Sequence, residues 1–368
     1  MKDVSKVIEE ISKPPVEEIV TKEEFEQLLR ENPHPVAYDG FEPSGLLHLG
    51  SGIQRSILTN RFTDNGAIFI MYIADWFAYL NKKFNGDMGK IRIAGQYFIE
   101  GFKACGMRTE NVRFIWTSDM IKDSRYWETL LTLSSKATVN RILRSVTIAG
   151  REESEAREMS LLIYPLMQAT DVLTLNNWKP VDICQLGMDQ RKVNMLVRDI
   201  IGDMNLKKPV AIHHHLLLGL QKNIRMGKFD ESEELNKEIS FKMSKSKPES
   251  AIYIHDTEEE VKSKLDKAYC PTDINEPNPI LELFKYIIFN KFDNVTIKRE
   301  EKYGGNLDLN SYEELHNLYA NGKIHPKDLK NAAADYINQI LEPVREYFEK
   351  NEKAHELLEK VKSFNITR

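Results

Sequence analysis

The spacing of apolar residues changes character twice along the chain. Up to residue 32, apolar side chains recur every three or four positions, which predicts an N-terminal helical segment (1–32) that Pro14 and Pro15 divide in two. In residues 33–260, short apolar runs alternate with longer helical patterns. In residues 261–368 the short runs disappear and helical spacing remains. The pattern therefore predicts an α/β domain between a helical segment and a separate all-helical domain.

The alternation in the middle of the chain is typical of a parallel sheet covered by helices on both faces. The most apolar run, Ala67–Ala74, predicts a strand that is buried on both sides. Further strands are predicted for the run that ends at Tyr38 and for Val112–Trp116, Val181–Cys184 and Val210–His213, and helices for Ile91–Ala104, Met120–Leu143 and Lys192–Ile201. Residues 221–240 are polar and charged, which predicts an exposed, mobile insertion with one short helix that folding does not require.

Composition and charge add broad limits. With 368 residues the chain is long enough for two domains, and 41% hydrophobic and 29% charged residues are ordinary for a globular protein. No apolar run approaches the roughly 20 residues of a membrane span, and the charged start of the chain lacks a signal-peptide core. Three scattered cysteines predict a reducing compartment, the cytoplasm, and no structural zinc. The net charge of −5 argues against indiscriminate binding to nucleic acid.

Residues 36–52 contain the end of a strand, a loop with Gly40 and Gly45, and an apolar helical pattern from Leu46 onwards. The free N–H groups at the start of a helix attract phosphate, and a loop beside them can pass close to a nucleotide. His48 lies where this helix is predicted to begin, and packing does not require it. The stretch is therefore a candidate nucleotide site, and the alternative is a strand-to-helix turn with an incidental histidine.

A second stretch favours the nucleotide interpretation. Far downstream of His48, Lys242 begins the sequence Lys-Met-Ser-Lys-Ser, which ends at Ser246. Together with the His-Leu-Gly-Ser turn, this sequence resembles the two signatures of class I aminoacyl-tRNA synthetases. The second signature matches fully, whereas the first departs from His-Ile-Gly-His at Leu49 and Ser51. Without His48, a solvated basic loop would be the better interpretation of the lysine-rich stretch.

Three polar residues in an apolar stretch form a third candidate group. Tyr164, Gln168 and Asp171 are separated by four and three positions, so they share one face of a helix. Because their neighbours are strongly apolar, this face is predicted to look into a pocket rather than into solvent. The alternative is a buried cluster of satisfied polar groups. Gly187–Gln190 follow a predicted strand and open a helix, which is a further position that faces ligands.

With these residues the resemblance narrows to tyrosyl-tRNA synthetases of the archaeal and eukaryotic type, and it extends from about Tyr38 to Phe348. It implies a Rossmann-like nucleotide-binding fold in residues 33–260 and an anticodon-binding domain in residues 261–368. It also implies that the chain activates L-tyrosine with ATP and transfers the tyrosyl group to the 3′ end of tRNA(Tyr). ATP would arrive with Mg²⁺, and the sequence contains no apparent protein cage for a metal ion.

The same resemblance assigns roles to the polar groups. Tyr38 and Asp171 would hold the phenol hydroxyl of tyrosine, and both would lose that partner if phenylalanine entered. The residues that would hold the ammonium group and the ring edge are Tyr164, Gln168 and Gln190. Those that would contact ATP are Ser44, His48 and Gly50 at the phosphates, Gly187 and Met188 at the adenine, and Asp189 at the ribose. Lys242 and Lys245 would supply positive charge to the pyrophosphate from a mobile loop, residues 242–246, which we call the KMSKS loop. Lys245 would be in direct contact with the pyrophosphate. These two lysines and His48 would be the catalytic groups.

The sequence also departs from this family. Ser51 replaces a histidine that would help to stabilise the pentavalent phosphate, so less of that stabilisation is expected from the turn. Phe77 stands where relatives often carry histidine, which changes the expected polarity of the pocket wall. Glu42 resembles an acidic residue near the pocket mouth and is given a supporting role. The run His213–His215 suggests a metal site, but consecutive histidines on a strand point to opposite faces, so none is predicted.

Further expectations concern a second subunit and the tRNA acceptor stem. The resemblance implies a homodimer through an inserted region at about residues 114–160. That region contains apolar residues in a polar neighbourhood, namely Trp127, Leu130, Leu131 and Leu133. Basic candidates for the acceptor stem are Lys136, Arg141, Arg144 and Arg151. The alternative is that these basic residues form an ordinary solvated helix face.

Two segments of the C-terminal domain resemble those that grip the first anticodon base. Tyr303 would stack on the base and Asp328 would accept hydrogen bonds from its guanine edge. The alternatives are that Gly304–Gly305 is only a turn and that Asp328 only caps a helix that starts near Leu329.

Other functions fit parts of the pattern. A tryptophanyl-tRNA synthetase shares the fold and the signatures, but an indole presents no hydroxyl to Asp171 and Tyr38. A non-catalytic RNA-binding relative would not need the intact Lys-Met-Ser-Lys-Ser sequence. A small nucleotidyltransferase would not need the helical C-terminal domain. The sequence therefore favours a tyrosine–tRNA ligase.

Overall fold

Six strands form the central sheet of the computed structural model, which describes residues 3–149, 158–202, 204, 206–222, 230–243 and 248–364. In chain order they are β1 (Val16–Val20), β2 (Val36–Phe41), β3 (Ile68–Ile73), β4 (Val112–Trp116), β5 (Ile183–Gly187) and β6 (Val210–His214). Their spatial order is β1-β6-β5-β2-β3-β4. The pairs from β6 to β4 are parallel, and β1 joins the edge antiparallel to β6.

Helices cover both faces of the sheet, so the predicted fold class is confirmed. They are α1 (Val4–Ser12), α2 (Lys22–Glu31), α3 (Ile53–Asp64), α4 (Asp75–Leu80), α5 (Met88–Ala104), α6 (Thr117–Met120), α7 (Ser124–Ser134), α8 (Val139–Ser145), α9 (Met159–Thr174), α10 (Arg191–Gly202), α11 (Glu233–Phe241) and α12 (Glu258–Lys267). Alternate side chains of a strand enter different cores. Phe69 and Met71 pack with α3 and α5, whereas Ile70 and Tyr72 pack with α7 to α10. None of the described helices is long and apolar enough to cross a membrane.

The strand order places a crevice between β2 and β5. From β2 the chain runs outward to β3 and β4, and it then returns to the other side of β2 as β5 and β6. Connections that leave in opposite directions open a gap at the carboxyl ends of the two adjacent strands, and ligands bind there in open α/β sheets. Tyr38 on β2 and Gly187 at the end of β5 are therefore at the expected position for a ligand site.

The C-terminal region consists mainly of helices. It contains α13 (Pro279–Tyr286), β7 (Val295–Ile297), β8 (Leu307–Leu309), α14 (Tyr312–Ala320), α15 (Pro326–Lys350) and α16 (Glu352–Lys362). The antiparallel pair β7–β8 was not predicted, because three-residue strands are too short to reveal an alternating pattern. The region is not a detached unit: its apolar residues continue the core around α5, and the Tyr347 hydroxyl donates a 2.7 Å hydrogen bond to Glu100.

The N-terminal segment differs from the prediction because β1 lies between its two helices. This strand contains Glu17 and Glu18, so a helical count of apolar positions passes over it. Glu18 is paired with Arg191 on α10, at 2.9 Å, and with His213 on β6, at 2.7 Å. The described part of this segment, residues 3–32, therefore contributes an edge strand to the sheet and is not a purely helical appendage.

The histidine turn also differs from the prediction. Helix α3 begins at Ile53 and not at Leu46. Leu47 and Leu49 are buried because their backbone groups pair with residues 252–254, not because they face inward from a helix. Apolar residues at helical spacing thus marked a short extended segment, which periodicity alone cannot separate from a helix start.

The predicted insertion at 221–240 is only partly described, because residues 223–229 lie outside the described residues. Its second half forms α11, which buries Asn236 and Ile239. Glu238 on this helix accepts a 2.9 Å hydrogen bond from the Leu216 backbone N–H. The predicted short helix is therefore present as α11, and the prediction of an exposed segment is wrong only for its inner face, where Asn236 and Ile239 are buried and Glu238 is half-buried.

Candidate active site

The residues singled out for tyrosine binding collect beside the crevice between β2 and β5. Helix α9 is continuous from Met159 to Thr174, so its spacing puts Tyr164, Gln168 and Asp171 on one face as predicted. Each makes a polar contact to a different element, as described below. The alternative of a purely self-satisfied cluster does not cover the whole face, because the hydroxyl of Tyr38, buried in the same core, has Gln168 beside it but makes no hydrogen bond of good geometry among the described residues.

Asp171 lies at the deepest point of this face. Its Oδ1 atom accepts hydrogen bonds from the hydroxyls of Tyr72, at 2.8 Å, and Tyr126, at 3.0 Å. Burial raises the pKa of Asp171 well above its ordinary value, and the two hydroxyls oppose that shift. The carboxyl group is thus held in place by two phenols, from β3 and α7. Among the described contacts, no cation and no amide binds it.

Tyr72 and Tyr126 were not identified from the sequence. A signal was available for Tyr72, because it is the single hydroxyl-bearing residue of the apolar strand β3. It is also paired with Gly40, two residues after Tyr38 on β2, so the two tyrosines share one face of the sheet. No comparable signal marks Tyr126, whose contact to Asp171 joins helices that are far apart in sequence.

Glu42, which was given a supporting role from the sequence, is held by several side chains. The Tyr164 hydroxyl donates to Glu42 at 2.6 Å, and the side-chain amide of Asn81 donates to the same carboxylate at 3.1 Å. Lys83 Nζ lies 3.8 Å from Glu42. Phe77 packs edge-on against the Tyr164 ring, with centroids 4.8 Å apart. The wall is therefore aromatic at Phe77, and Glu42 has a larger part than predicted because it orients Tyr164.

Gln168 and Gln190 form a pair across the crevice. The Gln168 amide donates to Gln190 at 3.2 Å, and the Gln190 amide donates to the Ile148 carbonyl at 3.1 Å. One residue comes from α9 and the other from the turn that follows β5. Two side-chain amides in this arrangement offer both donors and acceptors to a zwitterionic ligand.

The histidine turn joins two distant parts of the chain. His48 forms an antiparallel bridge with Tyr253, a few residues after the KMSKS loop. The Ser51 hydroxyl accepts a 3.0 Å hydrogen bond from the His48 N–H, so it stabilises the turn and does not project as the family's second histidine would. Gly50 lies under the imidazole, since a Cβ at this position would stand 3.2 Å from the ring. Ser44 lies in the coil before the turn.

The turn after β5 carries the candidate nucleotide residues Gly187, Met188 and Asp189. A side chain at Gly187 would displace the Asp189 carboxylate, because a Cβ there would lie 2.6 Å from Asp189 Oδ1. Asp189 Oδ2 lies 2.5 Å from Lys242 Nζ. Burial alone would raise the pKa of Asp189, but Lys242 outweighs burial and lowers it. The candidate ribose ligand and the first lysine of the KMSKS loop are therefore in direct contact.

The KMSKS loop is described only at its start. Its first two residues pair with the segment after β6, since Met243 N–H donates to the Leu217 carbonyl at 2.6 Å. Ser244, Lys245 and Ser246 lie outside the described residues, and so does the predicted contact of Lys245.

A buried ionic network beside β2, β5 and β6 was not predicted from the sequence. Arg55 on α3 lies 2.6 Å from Asp39 of β2 and 3.1 Å from His214 Nδ1. Gln185 on β5 lies 2.6 Å from the same histidine nitrogen. Burial, opposed by Arg55, raises the pKa of Asp39 to about 6. An aspartate inside an apolar strand was the available signal, because a buried carboxylate requires a partner.

The Tyr303 segment is a turn with a fully presented aromatic ring. Gly304 and Gly305 both have left-handed backbone angles, with φ of 95° and 71°. Tyr303 precedes them and is 63% exposed. Arg299 links this turn to the approach of α15, because its guanidinium donates to the Gly305 carbonyl at 2.9 Å and the Lys323 carbonyl at 2.7 Å. The turn therefore does not exclude a stacking role for the ring.

Asp328 does not cap a helix, because α15 begins at Pro326 and not near Leu329. The cap is His325, whose ring accepts the Lys327 N–H at 3.2 Å. Asp328 thus lies inside the first turn, half-buried, where its carboxylate also suits the helix dipole.

The region expected to form a subunit interface has a divided apolar face. Leu130 and Leu133 are buried in the chain's own core, whereas Trp127 is 45% and Leu131 65% exposed. The exposed pair lies one turn apart on α7, so only these two of the four predicted residues are available to a partner. Arg141 is paired with Asp199 at 2.9 Å, and Arg151 lies outside the described residues.

The chain is similar to known proteins over nearly its whole length. The family model for tRNA synthetases class I (W and Y) matches residues 30–240 and 240–342. Tyrosine–tRNA ligase 1, cytoplasmic, from Arabidopsis thaliana is 42% identical over 355 residues, which cover 96% of this chain and 87% of that protein. Tyrosyl-tRNA synthetase from Pyrococcus horikoshii, complexed with L-tyrosine, matches with a TM-score of 0.86 and 38% identity over 97% of this chain and 99% of its own. The Leishmania major enzyme in complex with tyrosinol gives a TM-score of 0.87 and 35% identity, although 99% of this chain spans only 53% of that one.

Proposed function

Since the chain belongs to the class I tRNA synthetases of the tryptophan and tyrosine group, we propose that it is a tyrosine–tRNA ligase. The observation that carries this choice is the buried carboxyl group of Asp171 beside the buried hydroxyl of Tyr38. A hydroxylated ring gives the Tyr38 hydroxyl a partner and gives Asp171 a further donor beside Tyr72 and Tyr126, whereas an indole or an unsubstituted phenyl ring provides neither. Amino-acid-dependent exchange of pyrophosphate into ATP tests the proposal.

In the first step, a carboxylate oxygen of tyrosine attacks the α-phosphorus of ATP. A phosphorus–oxygen bond forms to the amino acid, the bond to the β-phosphate oxygen breaks, and pyrophosphate leaves with its electron pair. The products are tyrosyl-adenylate and pyrophosphate. No side-chain nucleophile is needed, so the protein acts by positioning the reactants and stabilising charge.

In the second step, a ribose hydroxyl of the terminal adenosine of tRNA(Tyr) attacks the carbonyl carbon of the adenylate. The new ester bond carries the tyrosyl group, and AMP leaves with the electrons of the mixed anhydride bond. The hydroxyl proton passes to a phosphate oxygen or to solvent. Magnesium belongs to the ATP substrate in this scheme, and no described side chain is assigned to it.

We assign the tyrosine substrate to the face of α9. Asp171 and Tyr38 hold the phenol hydroxyl, with Tyr72 and Tyr126 fixing the carboxyl group of Asp171. The ammonium group lies near Tyr164, whose hydroxyl is oriented by Glu42. Gln168 and Gln190 complete this end of the pocket through their paired amides. In this assignment tyrosine enters as the zwitterion, with its carboxylate towards the crevice.

We assign ATP to the crevice between the histidine turn and the end of β5. Ser44, His48 and Gly50 face the phosphates, Gly187 and Met188 pass the adenine, and Asp189 takes the ribose hydroxyls. In this assignment the ribose hydroxyls share the Asp189 carboxylate with Lys242, whose Nζ lies 2.5 Å from Oδ2. The ammonium group of Lys242 also serves the pyrophosphate, together with Lys245, whose role rests on the family motif.

The C-terminal region is assigned to the anticodon of tRNA(Tyr). Tyr303→Ala and Asp328→Ala are expected to weaken tRNA charging while ATP–pyrophosphate exchange is retained. Stacking on one base contributes about 1–3 kcal/mol, so the loss for Tyr303→Ala is about 5- to 150-fold. Asp328→Ala also relaxes the preference for guanine at that base.

The control for this experiment is Asp293→Ala, an exposed aspartate of the same region. Charging of tRNA(Tyr) and of a transcript with a substituted first anticodon base is measured for each variant. If both test variants charge the two tRNAs as the parent and Asp293→Ala do, the anticodon assignment is wrong.

A homodimer through α7 is also part of the proposal. Leu131→Arg is expected to give monomers by light scattering at micromolar concentration, because it places a charge in an apolar contact. The exposed Leu206 serves as the control position, and Leu206→Arg is expected to remain dimeric. A parent protein that is monomeric under the same conditions contradicts this part of the account.

The cytoplasm is the proposed compartment, since the Arabidopsis relative is named cytoplasmic. The proposed domains are an α/β catalytic part up to about residue 260 and a helical anticodon-binding part beyond it.

A further inference from the structure

A buried histidine next to the active site is surrounded by three carboxylates. His215 directly follows β6, and its Nδ1 atom lies 2.7 Å from Glu17 and 3.3 Å from Glu238. Its Nε2 atom lies 3.0 Å from Glu282. The imidazole is stacked on the Tyr286 ring, with centroids 4.2 Å apart. We call these four charged residues the His215 cluster.

The charges of this cluster favour a protonated ring. Burial alone would lower the pKa of His215, but Glu282 and Glu17 outweigh burial and raise it to about 10. Burial, opposed by His215, raises the pKa of Glu238 to about 7. Lys285 is the further cation nearby, with its Nζ 4.9 Å from the Tyr286 ring centre. At neutral pH the ring is therefore an imidazolium between the carboxylates of Glu17 and Glu282, and Glu238 beside it carries a negative charge for only part of the time.

The cluster joins four separate parts of the chain. Glu17 comes from β1, His215 from the end of β6, Glu238 from α11 and Glu282 from α13 of the C-terminal region. Only β6 and α11 are consecutive among the described elements, and β1 and α13 come from distant parts of the chain. A charged group at such a junction fixes their relative positions, since moving any one of them leaves a buried charge without its partner.

Two of the carboxylates also hold the backbone that follows His215. Glu238 accepts the Leu216 N–H at 2.9 Å, and Glu282 accepts the Leu218 N–H at 2.9 Å. Alternate residues of this extended segment are therefore bound to the cluster from α11 and from α13. We call residues 216–220 the strip.

The strip in turn pairs with the start of the KMSKS loop. Gly219 N–H donates to the Phe241 carbonyl at 2.8 Å, and Met243 N–H donates to the Leu217 carbonyl at 2.6 Å. Leu218 forms an antiparallel bridge with Lys242. The strip thus connects the His215 cluster to Lys242, because it contacts the cluster through Glu238 and Glu282 and pairs with the residues around Lys242.

We propose that His215 is a positioning residue for Lys242, and that its imidazolium holds the strip on which the KMSKS loop is paired. Through Glu282 the same cluster links the first helix of the C-terminal region to that loop. The effect on catalysis rests on the proposed function, whereas the effect on the strip does not.

The test compares two neighbouring histidines. His213 is buried and lies 2.7 Å from Glu18 and 2.9 Å from Asn194, and its side-chain contacts among the described residues are to these two groups rather than to the strip. His213→Gln is therefore the matched control for His215→Gln. Single-turnover adenylate formation and equilibrium tyrosine binding are measured for both. His215→Gln is expected to slow adenylate formation by about tenfold with unchanged tyrosine binding, and His213→Gln is expected to change neither.

A second variant keeps the test informative if His215→Gln folds poorly. Glu282→Gln retains an oxygen that can accept the Leu218 N–H but removes the charge from the Nε2 side. It is expected to slow adenylate formation in the same direction and by a smaller factor. Equal rates in the parent, His215→Gln and Glu282→Gln overturn the proposal.

Hydrogen exchange of the protein without substrates separates this proposal from the proposed function. The amides of Gly219 and Met243 are expected to exchange faster in His215→Gln, while those of β6 keep their protection. Faster exchange in His215→Gln, together with no tyrosine activation by the parent, would support the hold of His215 on the strip and reject the proposed function. Unchanged exchange at both amides would reject the hold of His215 on the strip.

Metal analysis decides the remaining interpretation of this cluster. Glu17, His215 and Glu238 could also offer ligand atoms to a divalent cation. Stoichiometric zinc in the purified parent that is absent from His215→Gln would assign the cluster to a metal and overturn the imidazolium proposal. The expected result is no bound zinc in either protein.

Discussion

Asp171→Ala is expected to weaken tyrosine activation by about 5- to 150-fold, because a buried hydroxyl that loses its acceptor costs about 1–3 kcal/mol. The substituted side chain lies at the closed end of the pocket, where Tyr72 and Tyr126 also lose their common acceptor. ATP binding should change little, since the crevice is formed by other residues. The measurement is tyrosine-dependent ATP–pyrophosphate exchange beside equilibrium binding of ATP.

The same variant should discriminate less well between tyrosine and phenylalanine. Rejection of phenylalanine by about 10⁵ is already known for this class of enzyme and is not a value inferred from this structure. Tyr126→Phe is the control, because it removes one hydroxyl from Asp171 and keeps the carboxyl group itself. Tyrosine-dependent exchange at the parent's rate in Asp171→Ala would refute the assignment of the pocket.

His48→Ala is expected to slow adenylate formation by about 10²–10³-fold with little change in tyrosine binding. The imidazole lies on a turn that is fixed to residues 252–254, and we assign it to the crevice rather than to the pocket around α9. It therefore acts on charge that develops as pyrophosphate leaves, and such groups contribute mainly in the transition state. Lys245→Ala should show the same pattern.

Single-turnover formation of tyrosyl-adenylate, measured beside equilibrium binding of tyrosine, separates the two effects for His48→Ala and Lys245→Ala. A large loss of tyrosine affinity with normal chemistry in either variant would contradict the assigned role. Ser51→Ala is a useful companion, since Ser51 contacts only the backbone of His48 in the described hydrogen bonds. Its effect is expected to be much smaller.

The features that could be predicted from the sequence are those with a local cause. The shared face of Tyr164, Gln168 and Asp171 follows from helical spacing, and an uninterrupted α9 is sufficient to produce it. The strand–turn arrangement around Asp189 follows from an apolar run and a glycine. Neither case requires knowledge of which elements meet in space.

The features that could not be predicted depend on contacts between distant parts of the chain. Tyr126 reaches Asp171 from another helix. Lys242 contacts Asp189 from the start of the KMSKS loop, which is paired with the strip. The extended segment at Leu47 imitates a helix because its apolar residues are buried by residues 252–254. Spacing along the chain contains no information about such partners.

Edge strand β1 illustrates a second reason. It pairs with the sheet on one side, and its polar residues are satisfied by β6 and α10 rather than by solvent. An edge strand with Glu17 and Glu18 therefore has neither the apolar run of a central strand nor the alternation of a half-buried one. The same pair of glutamates then supplies the ionic contacts to His213 and His215.

The most direct test of the central claim is amino-acid-dependent ATP–pyrophosphate exchange by the purified protein, measured separately with each of the standard amino acids. The account predicts exchange with tyrosine and background rates with tryptophan and phenylalanine. Exchange that depends on tryptophan, or no exchange with any amino acid, would contradict it.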